Sequence, residues 1–326
     1  MFERVSEGWR PSPSQQVEPA RGPVPYPEAR CLQGFAHRST QPEGATLEAS
    51  TAPFPTTTQG TVMPCSVRYA NYRFLTFHLV DGVLTLGLNR PEVYNAINPA
   101  LHEELSRVFA DIRGDEQVRA VVLTGWGKAF CAGGDIREVP NRAGPELDVF
   151  FVEARKIIID LLELPQPIVA AINGPAIGLG ATLALFCDVA FAAETAVIAD
   201  PHVTVGVVAG DGGAVIWPWL VGANRAKQYL LTGDKLGAQE AERIGLINQV
   251  VPADDLLASA QAFAARLANG PQRAIRGTKA AVNALLRDSA NMIMDACLAT
   301  EKECFTSGDH ARAVEVFLGG KEAGKR

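Results

Sequence analysis

The 326-residue sequence has no uninterrupted apolar segment that approaches the ~20 residues needed to cross a bilayer, so no membrane-spanning helix is expected. It has no surplus of basic residues either. The net charge of −6 gives no reason to expect nucleic acid or an anionic membrane surface as a partner. The six cysteines (Cys31, Cys65, Cys131, Cys187, Cys297, Cys304) form no CxxC pair and show no paired spacing. With no apolar secretory segment at the start, they read as reduced thiols of a cytoplasmic protein, and no metal site is expected. What is present is ordinary for a globular protein: 47% hydrophobic and 20% charged residues, with length for one large domain or two modest ones.

Residues 1–66 lack the apolar periodicity of everything that follows. About half of the 21 prolines fall there, among Thr, Ser, Gln and Gly. Such a composition buries too little surface to offset the entropy of ordering it. The stretch also lacks the arginine density of a transit peptide. Two readings remain: a disordered tail, or a start assigned too early, with initiation at Met63.

From Leu75 the apolar pattern takes a period of two. Leu75–Val80 and Val83–Leu88 flank Asp81-Gly82, a hairpin signal. Pro99 opens a helix to about Arg113, with Leu101, Leu105, Val108, Phe109 and Ile112 on one face. Ala120–Thr124 reads as a buried strand and Glu146–Leu164 as a helix, with Glu138–Gly144 as a mobile connection between them. Pro165 and Pro167 end that helix before the apolar run Ile168–Ile172. Asn173-Gly174-Pro175 is turn chemistry, Ala181–Leu185 is helical, and Asp188–Ala192 is a further buried strand. After Pro218 the chain turns helical, over Gly222–Leu231, Ala238–Ile244, Ala253–Leu267, a segment from Pro271, Ser289–Phe305 and His310–Phe317.

Two glycine-rich loops follow buried strands, each expected to lead into a helix. One is Ala129–Ile136 (AFCAGGDI); the other holds Gly178-Leu179-Gly180. Free backbone N–H groups at such turns point at negative charge, and two of them can share one oxyanion.

These loops, with LNRPEVYNAIN (Leu88–Asn98), INGPAIGLGATLALFCDVAFAAETA (Ile172–Ala196), DPHVTVGVVAGDGGAVIWP (Asp200–Pro218) and a C-terminal GDHARAVEVFLGG, carry a resemblance. The chain resembles the crotonase superfamily, the enoyl-CoA hydratase/isomerase family, from about Tyr69 onward. The resemblance implies an α/β fold: a crotonase-like spiral of ββα turns over 67–265, with a C-terminal helical cap over 266–326 that helps form a homotrimer or dimer of trimers. It implies an acyl-CoA thioester substrate, with CoA as part of the substrate and no separate cofactor. Carried over by position, the oxyanion hole is the N–H of Gly134 and the N–H of Leu179. CoA is expected near Ala96 and along Phe130, Ala132, Gly133, Asp135, Ile136 and Arg137.

The departures bear on the reaction. Hydratases of this family carry two glutamates that handle water; the matching positions here hold Thr182 and His202. His202 reads either as a loop histidine with a backbone partner or as an acid/base residue. Asp211 reads either as a helix cap or as the partner that orients His202, as in a histidine–aspartate branch of the superfamily that hydrolyses carbon–carbon bonds. Asp200 is a lesser candidate for that work. Thr182 is expected to be structural, or a hydroxyl bonded to water or substrate. Asp135 is expected to cap the helix after its loop. His78 and His102 read as surface residues, and Trp217 and Trp219 as core or pocket wall. Cys131 is considered as a nucleophile, but no base stands beside it. Isomerase- or hydrolase-like chemistry through His202 is therefore expected in preference to glutamate-pair hydration. The rival is an acyl-CoA-binding module that has lost its acid and base and turns over no thioester.

Overall fold

The computed structural model describes residues 67–137 and 144–323. The expectations for residues 1–66, for Cys31 and Cys65, and for the connection over 138–143 lie outside the described residues.

The chain begins with a hairpin, β1 (Leu75–Val80) and β2 (Val83–Leu88), turned at Asp81-Gly82. Then come α1 (Pro99–Arg113), β3 (Ala120–Gly125), α2 (Pro145–Leu162) and β4 (Ile168–Ile172). A short strand β5 (Ala176–Ile177) leads into α3 (Leu179–Leu185), followed by β6 (Val189–Ala193) and β7 (Val197–Ala199). Next are α4 (Gly213–Val221), α5 (Ala223–Thr232), β8 (Leu236–Gly237), α6 (Ala238–Arg243) and β9 (Gln249–Val251). Helices α7 (Leu256–Ala268), α8 (Gln272–Phe305) and α9 (Gly308–Ala323) complete it.

The main sheet has the order β1-β2-β3-β4-β6-β9, antiparallel at the hairpin and parallel thereafter. A smaller sheet, β5-β7-β8, stands beside it. Every residue of β3 and β4 is buried, as suits parallel strands covered on both faces. Helix α1 starts as its sequence requires. Asn98 accepts from the N–H of Leu101 at 3.0 Å and Pro99 takes the first helical position, a cap that contributes about 1 kcal/mol. Its apolar face is buried against the core, and Glu104 accepts from the N–H groups of Arg73 (2.7 Å) and Phe74 (3.0 Å), clamping the entry to β1.

The structure changes two expectations. The segments expected from Pro271 and over Ser289–Phe305 are one continuous helix, α8. No proline interrupts Gln272–Phe305, so nothing in the backbone forces a break. Trp217 is fully buried, whereas Trp219 is 50% exposed and walls nothing. Helix α8 is anchored to the core: the buried Lys279 donates to the Gln166 carbonyl (2.9 Å) and pairs with Asp188 (2.8 Å). Asp188 also accepts from the Ile168 N–H at 2.7 Å, so a single carboxylate ties α8 to the start of β4.

Candidate active site

The site is assembled by backbone stitching. Ile97 donates to the Gly133 carbonyl (2.8 Å) and accepts from the Asp135 N–H (2.9 Å), so the loop 129–135 pairs like a strand with residue 97. On its other side Cys131 pairs with Ala176: its N–H donates to the Pro175 carbonyl at 3.0 Å and its carbonyl accepts from Ile177 at 2.9 Å. Gly178 then donates to the Ala199 carbonyl at 2.9 Å, bringing the end of β7 alongside. Close approach demands glycine at 133, where φ is +82° and a methyl would fall 2.7 Å from the Ile177 carbonyl oxygen. Asn95 holds the same loop from below. Wholly buried, with φ +56°, it accepts from the Arg90 N–H (2.8 Å) and donates to the carbonyls of Trp126 (3.0 Å), Ala129 (2.9 Å) and Phe130 (3.2 Å).

Residues 138–143, between the loop 129–135 and α2 at Pro145, lie outside the described residues, and with them the helix expected to follow the loop. Asp135 Oδ1 accepts from the Arg137 N–H at 3.3 Å. Its carboxylate accepts from the Arg137 guanidinium at 2.9 and 2.7 Å, and that hydrogen-bonded cation holds its pKa below the usual range. Leu179, by contrast, is the first residue of α3, where N–H groups have no partner within the helix. Among the described residues, neither the Gly134 nor the Leu179 N–H donates to a backbone carbonyl.

Both residues line a cavity of about 610 Å³. His202 and Asp211 line it too, as do Ala132, Gly133, Asp135 and Ile136. Ala96 and Phe130 do not reach it: Phe130 is enclosed in the core, and the Ala96 carbonyl accepts from Arg90. Arg137 stays outside, paired with Asp135.

His202 opens a single 3-10 turn just after β7. Its Nδ1 donates to Asp200 Oδ1, and its Nε2 lies 3.3 Å from Asp211 Oδ2. The ring rests against Gly178, where a methyl would stand 3.4 Å from Cε1, so the imidazole adjoins the Leu179 donor. Burial alone would drive the proton off His202. The charges of Asp211 and Asp200 outweigh that, and the pKa lies well above the usual histidine value. For Asp211 burial likewise favours the neutral form, but the His202 charge prevails and keeps its pKa below the usual range. Asp211 stands just ahead of α4, which begins at Gly213 with Gly212 in the cap position, and the Gly213 N–H helps hold the Asp211 carboxylate charged. Thr182 is fully buried behind it and donates to Asp211 Oδ1 at 3.4 Å, so its hydroxyl positions a carboxylate rather than meeting substrate. Asp200, the lesser candidate by sequence, is an equal partner of His202.

Ligand atoms of Asp200, His202 and Asp211 lie within 4.8 Å of one another. Both ring nitrogens already face a carboxylate, so the arrangement fits a hydrogen-bonded triad better than a cation site. Cys131 is no nucleophile. Its thiol donates to the Asn95 carbonyl at 3.2 Å, and burial pushes its pKa up to about 12.

Sequence reasoning missed three residues here. His102 is 1% exposed rather than superficial; it pairs with Glu153 at 2.7 Å, stacks on Phe150 and lines the cavity. His310 of α9 lines the cavity, with Nδ1 donating to the Val205 carbonyl at 2.6 Å. Glu301 of α8 lines it as well. A signal for Glu301 existed: it continues the buried stripe Ala290, Met294, Leu298, putting a carboxyl at an apolar position.

A family model described as enoyl-CoA hydratase/isomerase matches residues 79–322. The chain is similar to a probable enoyl-CoA hydratase of Rhodobacter capsulatus, 36% identical over 76% of this chain and 96% of the relative. It is similar to the 1,2-epoxyphenylacetyl-CoA isomerase of Escherichia coli, 33% identical over 75% of this chain and 95% of the relative. A crystal structure of an enoyl-CoA hydratase/isomerase from Mycobacterium paratuberculosis superimposes with a TM-score of 0.72 at 36% identity, covering 74% of this chain and 97% of the other.

Proposed function

Because this chain belongs to the enoyl-CoA hydratase/isomerase family, we propose that it binds an acyl-CoA and moves a proton at a carbon conjugated to the thioester, in isomerase- or hydrolase-like chemistry. The observation that carries this reading is the buried Asp200–His202–Asp211 triad set against Gly178, one residue before the Leu179 donor. The thioester oxygen accepts from the N–H groups of Gly134 and Leu179. When a neighbouring C–H is broken, the electron pair moves onto that oxygen, and the two donors stabilise the charge where it develops.

His202, held as a cation between two carboxylates, is an acid at neutral pH. Asp211 is then the member of the pair that can accept a proton, and its depressed pKa makes it a weak base. As pH rises through the raised pKa of His202, the neutral imidazole takes over as a stronger base, so the rate rises on the alkaline side. Syn-hydration needs one group to activate water while a second delivers a proton, and no glutamate stands at position 182 or 202. The retained, ionised pair weighs against a binding module stripped of its acid and base.

The test is a panel of acyl-CoAs incubated with the purified protein and read by mass spectrometry and ultraviolet absorbance. A 3-enoyl-CoA should isomerise faster than crotonyl-CoA hydrates, and His202→Ala should abolish the isomerisation while acyl-CoA still binds. Rapid crotonyl-CoA hydration undiminished in His202→Ala would sink the mechanism.

A further inference from the structure

Glu301 lies one turn before the end of α8 and is 3% exposed. It lines the cavity shared by His202 and Asp211, and its Oε2 has no hydrogen-bond partner among the described residues. The carboxyl is pressed against the loop that carries Asp211: a methyl on Gly210 would fall 2.5 Å from Oε2. Burial, then the negative charges of Asp211 and Asp200, push its pKa well above the carboxylate range, with His202 opposing them. Two other titratable groups are near. Cys297, one turn earlier on α8, has its own pKa raised chiefly by burial, and His310 reaches the same cavity from α9. Lys302, the next residue, turns away to pair with Asp148 and offers Glu301 no cation. The result is a carboxyl group whose surroundings favour the protonated form, facing the cavity with Oε2 unpartnered among the described residues. Natural interiors rarely leave such an atom idle.

We propose that Glu301 is the proton donor of this site, supplying from the cap the second acid that positions 182 and 202 do not provide. The proposal rests on the proton-transfer reading above. The His202–Asp211 pair breaks a C–H bond of the bound acyl group and keeps the proton, while the electron pair passes to the thioester oxygen. The Glu301 O–H bond then breaks, its proton forms the new C–H bond at the other end of the conjugated system, and the enolate collapses to the isomerised thioester. Glu301, now a carboxylate, regains a proton from water as the pair returns its own. No net charge or oxidation state changes.

Two groups doing the two halves of the transfer predict where the label goes. With full-length protein in D₂O, isomerisation of 3-hexenoyl-CoA should place solvent deuterium in the product, because the proton removed and the proton delivered differ. Glu301→Gln keeps the shape and removes the acid. Isomerisation should fall about 10²-fold or more at unchanged Kd for hexanoyl-CoA and unchanged Tm, while exchange of the α-protons of hexanoyl-CoA into D₂O persists. Glu301→Asp should recover part of the rate. His202→Ala should lose exchange and isomerisation together. Isomerisation by Glu301→Gln at the wild-type rate, or product that retains the substrate's own hydrogen, overturns the role of Glu301 alone. A wild type that neither exchanges nor isomerises overturns the proton-transfer reading and this proposal with it.

Discussion

The cavity has two walls that work on different principles. One is backbone: the N–H groups of Gly134 and Leu179, aimed by stitching between residue 97, the loop 129–135, β5 and β7. The other is side chain: Asp200, His202 and Asp211 after β7, and Glu301 on α8. A backbone donor depends on chain path and tolerates nearly any residue, so leucine serves at 179. A side-chain acid depends on identity and burial, and one substitution changes the reaction. On the proposed reading, scaffold and chemistry are separable in this molecule: the first wall lets an enolate form, the second decides what becomes of it.

Four substitutions test that separation, from the strongest effect down. His202→Ala removes the proton-handling centre of the side-chain wall, so kcat should fall by up to about 10⁴-fold with acyl-CoA binding intact by calorimetry. Gly134→Pro deletes one backbone donor without adding charge, and turnover should fall about 10²- to 10³-fold in protein shown to be folded by circular dichroism. Near-wild-type rates in that variant would move the oxyanion hole elsewhere. Asp211→Asn removes one of the two charges that raise the His202 pKa. That pKa should fall toward its usual value, so the alkaline rise in kcat should begin at lower pH, with about a tenfold loss at the plateau. A profile that does not move would leave Asp211 without electrostatic effect on His202. Leu179→Ala should be the mildest. It keeps the N–H, so kcat should change by less than about threefold even though the lost side chain lowers Tm.

The first wall was largely legible in the sequence. Gly134 and Leu179 sit in glycine-rich loops after apolar runs, and the strands and helices that carry them fell close to the expected limits. Even so, the loop 129–135 is held by strand-like pairing with Ile97, which no local pattern at 129–136 encodes. The second wall was half legible. His202 stood out because it occupies a position where relatives carry a glutamate, but Asp200 before Pro201 reads as an ordinary turn residue, and its pairing depends on how β7 ends. Glu301 in the run Glu301-Lys302-Glu303 looks like solvated helix surface. Only the turn of α8 toward the cavity separates it from its neighbours, and that follows from packing on α2 and α4, not from local propensity.

Helix α8 is also a strut. Its foot is pinned where the buried Lys279 meets Asp188 and the Gln166 carbonyl, and its tip carries Glu301. At 1.5 Å per residue the two points stand about 33 Å apart along one unbroken helix. A rod of that length magnifies angle into displacement: a tilt of about 2° at the foot shifts the tip by about 1 Å, enough to cost about 10²-fold in a proton transfer. On the role proposed for Glu301, the aim of the acid is therefore set mechanically, by the packing of α8 on α2 and α4 together with an ion pair at the far end of the helix.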